Sequence, residues 1–93
     1  MESIKCYLYI LESELNNSLY IGQSNNVLKR LDEHNNGYNK STKSKKPWKL
    51  IFSIELEDRS EALKLERKLK SWKKRQAIFS WIDKQNRGVA QPG

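Results

Sequence analysis

The chain is poor in the residues that build disulfide frameworks, metal clusters and hydrolase triads, with one cysteine and one histidine in 93 residues. A single thiol, Cys6, closes no internal disulfide, and a four-thiolate zinc site is excluded. It opens an apolar stretch and reads as a small packing residue. With one imidazole, any Ser–His pair would have to use His34, and no serine stands in a nucleophile-elbow context. Four glycines and two prolines leave no glycine-rich phosphate cradle. No apolar run approaches the roughly twenty residues of a membrane-spanning helix. The first residues, Met1 to Lys5, lack the charged-then-apolar layout of a secretory signal, so a reducing cytoplasm is the expected compartment.

Acid is also missing, and its absence is local. No Asp or Glu occurs between Glu33 and Glu55, while Lys40, Lys43, Lys45, Lys46 and Lys49 all fall there. A second block, Lys64 to Arg75, holds seven basic residues and one acidic one within a net charge of +7. Two dense basic segments on a small chain suit a polyanion, because neutralising phosphates releases condensed counterions. Lys40, Lys43, Lys45 and Lys46 in the first block and Lys73 and Lys74 in the second are the candidate DNA-phosphate contacts. The alternative is a solvated basic surface with no partner.

Residues 5–11 (KCYLYIL) are aromatic and β-branched and predict a strand; 18–22 (SLYIG) predict a second, across an Asn-Asn turn. Ser24-Asn25-Asn26 supplies capping side chains for a short helix through Val27, Leu28 and Leu31, which Gly37 ends. Residues 38–49 read as a loop. Residues 50–56 (LIFSIEL) predict a third strand with imperfect alternation. Asp58 and Glu61 form a capping box ahead of a helix to about Trp72, its stripe being Ala62, Leu65, Leu69 and Trp72. A last short helix covers 75–82. The expected fold is α+β, a small three-stranded antiparallel or mixed sheet flanked by helices. It forms one domain over residues 1–83, with 84–93 as a flexible tail.

Glu66 is the unusual carboxylate. It lies four residues after Ala62 and three before Leu69, on the edge of the apolar stripe, where it needs a metal ion or a protein cation such as Arg67 or Lys70. Arg30 and His34, four apart, project from one helix face. On position alone they read first as a solvent-exposed face with His34 capping a helix end, and otherwise suit a phosphodiester site. Tyr7 and Tyr9 share a strand face, as packing residues do.

Taken together these segments resemble the GIY-YIG nucleases. Tyr7-Leu8-Tyr9 followed by Tyr20-Ile21-Gly22 is similar to the paired motif of that family. Residues 28–35 (LKRLDEHN) resemble its Arg-bearing helix, and 61–72 (EALKLERKLKSW) the helix with its metal-binding Glu. The likeness covers about residues 5–82 and is greatest to short, stand-alone bacterial members of the URI type. It implies a DNA endonuclease. Tyr9 or Tyr20, with His34 assisting, would take a proton from the attacking water, and Arg30 would hold the scissile phosphate. Glu66 would bind a single Mg²⁺ or Mn²⁺ at the leaving oxygen. Gln23 departs from the pattern, standing where many members have Lys. Structure-selective cutting in DNA repair or processing is the expected task. The alternatives are a catalytically silent nucleic-acid-binding module and a nuclease subunit that acts with a protein partner.

Overall fold

A computed structural model describes residues 5–90 of the chain. Strands β1 (Cys6–Ser13) and β2 (Leu19–Ser24) form a hairpin, followed by helix α1 (Val27–Asn35) and a single turn of helix, α2 (Lys40–Lys43). Strand β3 (Trp48–Leu56) and helices α3 (Arg59–Trp72) and α4 (Arg75–Ala90) complete the chain. The sheet order is β2-β1-β3, and both pairings are antiparallel. The α+β expectation holds, with the antiparallel form of the sheet.

Strand β1 is central, so both its edges are paired, and with helices over both faces of the sheet nearly every side chain along it is buried. Leu8 and Ile10 point to one face, where Ile21, Leu69, Ile78 and Ile82 join them. Tyr9 and Leu11 point to the other, with Trp48 and the partly buried Tyr20, Val27, Leu31 and Leu50. Helices α3 and α4 close the first face and α1 the second. The imperfect alternation of the third strand has a structural cause. Ile10 pairs with Phe52 but Leu11 with Leu50, so Ile51 is an extra residue in a bulge. The bulge lets Ile51 and Phe52 both serve the first core while Leu50 turns to the second.

Local chemistry sets the helix ends. The Asn26 side chain accepts from the Lys29 amide at 3.1 Å to start α1. Past its end, Gly37 takes φ +79°, and its amide donates to the His34 carbonyl at 3.3 Å. Asp58 caps α3 by accepting from the Glu61 amide at 2.9 Å.

Three sequence expectations need correction. Residues 38–49 are not all loop, because α2 forms within them and β3 begins at Trp48, where Asn35 pins the Trp48 backbone to the end of α1. Leu28 is 71% exposed and belongs to no core, since α1 is short and only Val27 and Leu31 reach the sheet. Helix α4 continues to Ala90, past the expected domain boundary at residue 83, because nothing between Ile82 and Gly88 breaks a helix. The rest of the expected tail, 91–93, lies outside the described residues. No helix among the described residues is long and apolar enough to cross a membrane.

Candidate active site

Hairpin register builds the site. Antiparallel pairing sets Tyr9 opposite Gly22 and Leu11 opposite Tyr20, which puts both tyrosines on the α1 face of the sheet. Gly22 is the gap that admits them. A β-carbon there would stand 2.8 Å from the Tyr9 Oη and 2.9 Å from its Cζ, so the phenol ring occupies the space a side chain would need. Helix α1 then brings His34 down onto the pair. Its Nε2 lies 3.2 Å from the Tyr9 hydroxyl, and its ring is 4.6 Å, centroid to centroid, from that of Tyr20. Its other nitrogen, Nδ1, is 2.8 Å from the Thr42 hydroxyl on α2. Tyr9, His34 and Thr42 are each at most 2% exposed. Tyr20 is only half-buried and lines a cleft.

Burial governs the protonation states. It pushes the Tyr9 phenol well above the ordinary tyrosine range; the neighbouring Tyr20 and the charge of Glu66 add to this, and Arg30 opposes it. Burial likewise holds His34 below the usual imidazole range, helped by the charge of Arg30 and opposed by Glu33. At neutral pH the buried pair is therefore a neutral phenol against a neutral imidazole. The reading of His34 as a charged helix-end cap is corrected: it is inside the protein, where a cation would lose its hydration.

Arg30 is exposed one turn before His34 and pairs with Glu33 at 3.4 Å. Glu66 projects from α3, its side chain 20% exposed, and pairs with Lys70 at 2.7 Å. Arg30 on α1 and Glu66 on α3 thus act on the Tyr9 phenol in opposite directions, each less than burial does. Among the described residues no group of three or more His, Cys, Asp or Glu side chains could hold a metal ion. A divalent cation at Glu66 would take most of its ligands from water or substrate oxygens.

The lysines divide into two groups. Lys45, Lys73 and Lys74 line a cleft of about 750 Å³ that Tyr20 and Thr42 also border, and Lys70 joins them. Lys40 lies on the other side, in a smaller hollow shared with Arg30 and His34, while Lys43 and Lys46 flank Gly37. Arg75 also lines the cleft, but its guanidinium is engaged by the Glu12 carboxylate and the Asn17 carbonyl, which fastens the start of α4 to the hairpin. Sequence reasoning missed Thr42 and Trp48. Thr42 sits among serines and lysines with nothing to distinguish it; the aromatic Trp48 at the end of a polar run was the available signal. Trp48 is buried, and its indole donates to the Thr42 carbonyl at 3.0 Å.

The small antiparallel sheet thus carries Tyr9 beside Tyr20 and His34, with Arg30 on α1 and Glu66 on α3. Residues 5–79 match the GIY-YIG catalytic domain, and the chain belongs to the GIY-YIG family, whose domain is that of a DNA endonuclease. It is 35% identical over 75 residues to a UPF0213 protein of Staphylococcus saprophyticus, covering 80% of this chain and 90% of that one. A UPF0213 protein of Streptococcus agalactiae is 35% identical over 83 residues, covering 88% of this chain and 92% of its own. One from Syntrophus aciditrophicus is 44% identical over 68 residues, covering 71% and 77%. These bacterial relatives are themselves short, in keeping with the URI-type resemblance. No solved structure matches the chain.

Proposed function

We propose that this protein is a metal-dependent endonuclease that hydrolyses DNA phosphodiester bonds at the site formed by Tyr9, Tyr20, Arg30, His34 and Glu66. The observation that carries the reading is the convergence of a buried Tyr9–His34 pair with a half-buried Tyr20 that lines a lysine-bearing cleft.

Roles follow from exposure. Tyr9 has almost no solvent contact and a phenol held protonated, so Tyr20 is the tyrosine that meets the attacking water. Neutral His34, against both rings, is the group able to receive a proton from the pair. Arg30 has only an exposed ion pair to exchange for a phosphate, a contact worth little in water, and its guanidinium matches two phosphate oxygens. Glu66 would hold a divalent cation, Mg²⁺ or Mn²⁺, once it gives up Lys70. That ion would supply Lewis-acid stabilisation of charge on the leaving oxygen. Lys45, Lys73 and Lys74 would track the backbone in the cleft, and Lys40, Lys43 and Lys46 would do so beyond Arg30. Phosphate contacts position a nucleic acid without reading its bases, which favours structure-selective cutting in DNA repair or processing.

One observation favours a second reading. The Lys70 ammonium already neutralises Glu66, as in a nucleic-acid-binding module without catalysis. The two readings separate in one experiment: incubation with supercoiled, flapped and branched DNA in Mg²⁺ or Mn²⁺, beside Glu66→Ala. The endonuclease reading expects metal-dependent cutting that falls on the order of 100-fold or more in E66A, with DNA binding retained. Salt-sensitive binding without cutting of any substrate, unchanged in E66A, establishes the binding module instead. Cutting that appears only when another protein is added marks a partner-dependent subunit.

A further inference from the structure

The Tyr9–His34 contact does not by itself say which imidazole nitrogen carries the proton, and catalysis by this site depends on it. If Nε2 bears the hydrogen, His34 donates to the tyrosine and can accept nothing from it. If Nδ1 bears it, Nε2 presents a lone pair to the tyrosine pair and is a proton acceptor.

The hydrogen bonds on the far side of the ring decide between these states. The Thr42 hydroxyl carries one proton and donates it to the Asn39 carbonyl at 3.3 Å. Toward His34 Nδ1, 2.8 Å away, it is then left to accept. In that arrangement Nδ1 holds the ring's single hydrogen, Nε2 is bare, and the Tyr9 hydroxyl, 3.2 Å away, is the donor to it. Thr42 is itself held firmly. It is 1% exposed, and its carbonyl accepts from the Trp48 indole at 3.0 Å and the Lys45 amide at 3.1 Å. No buried side-chain polar atom among the described residues lacks a partner, and with Nδ1 protonated each donor along Tyr9–His34–Thr42–Asn39 meets an acceptor.

We propose that Thr42 is a positioning residue that fixes the tautomer of His34, keeping Nε2 as the proton acceptor of the nuclease site. The proposal rests on the endonuclease reading for its consequence, but not for its test. In the reaction the proton lost by the attacking water passes to the tyrosine pair, and a tyrosine proton passes to Nε2. His34 becomes imidazolium, still donating from Nδ1 to Thr42, and later returns its proton to solvent. The water oxygen bonds to phosphorus as the bond to the leaving oxygen breaks, and that oxygen takes a proton from solvent.

The chain has one histidine, so long-range ¹H–¹⁵N correlation spectra of untagged, ¹⁵N-labelled protein report His34 alone. Near neutral pH the wild type should show a protonated Nδ1 and an unprotonated Nε2. Thr42→Val, nearly equal in volume but unable to accept, should shift the ring toward the Nε2–H tautomer. It should lower kcat on the order of 100-fold with little change in KM, the size of a general base contribution. Thr42→Ser should restore both the tautomer and the rate. A wild-type spectrum with Nε2–H overturns the proposal without any variant. So does T42V with wild-type tautomer or wild-type kcat, or T42S that restores neither. If the wild type cuts no DNA, the endonuclease reading fails separately, and the tautomers of the wild type and the two variants alone decide the role of Thr42.

Discussion

The two faces of β1 are built from alternate residues of one strand and do different work. Leu8 and Ile10 enter a core of aliphatic side chains closed by α3 and α4. Tyr9, one residue between them, enters a core that also encloses an imidazole and a threonine hydroxyl. Apolar burial is non-directional and tolerates repacking, whereas a buried hydrogen-bonded chain requires each partner in place. Stability therefore concentrates on the first face and directional chemistry on the second. The period of two along a strand is what keeps them apart.

Four substitutions or conditions can break that comparison. Ile82→Ala, on the aliphatic face and away from the cleft, should have the largest effect on stability, about 2–5 kcal/mol by denaturant titration. Its cutting rate per folded molecule should hardly change. A loss of rate beyond the loss of folded protein would show that the faces are coupled. Gly22→Ala, on the polar face, forces the Tyr9 ring away from a β-carbon it would meet at 2.8–2.9 Å. It should cost about 1–3 kcal/mol as overpacking does, and it should nearly abolish cutting by displacing the tyrosine. Tyr9→Phe keeps the ring and removes the hydroxyl, leaving Nε2 of His34 without its partner. About 1–2 kcal/mol of stability should go, with cutting impaired far more than folding.

The smallest effect is that of pH on His34. Its folded-state pKa is depressed, so the unfolded chain binds the proton more readily. Its contribution to stability is complete above the ordinary value of 6.5 and is lost as pH falls below it toward the folded-state value. Thermal unfolding across that window should show a decline that Ile82→Ala keeps, since that change leaves His34 in place. A wild-type melting temperature flat through the window would contradict a buried neutral imidazole.

Strand and helix order were legible because each element carries its own local signal. Examples are the aromatic run of β1, the Asn26 and Asp58 caps, and Gly37 after α1. The bulge at Ile51 was visible only as a fault in alternation, since a bulge is defined by the partner strand. Turn α2 escaped notice because one turn of helix has too few residues for a periodic pattern and is held by contacts to α1 and Trp48. Glu66 could be singled out from its place on the stripe edge. Its pairing with Lys70 could only be posed as one of two options.

By itself, the sequence determined the α+β order, the basic character of two segments, and the likeness to the family. Propensity, capping and charge act over a few residues, so they can be read along the chain. The tertiary structure decided that His34 is buried and neutral rather than a charged cap, and that Tyr20 rather than Tyr9 borders the cleft. It also brought Thr42 to the far side of the imidazole. Desolvation and hydrogen-bond partnership depend on what surrounds a group in space, and for His34 those surroundings come from β1, β2 and α2.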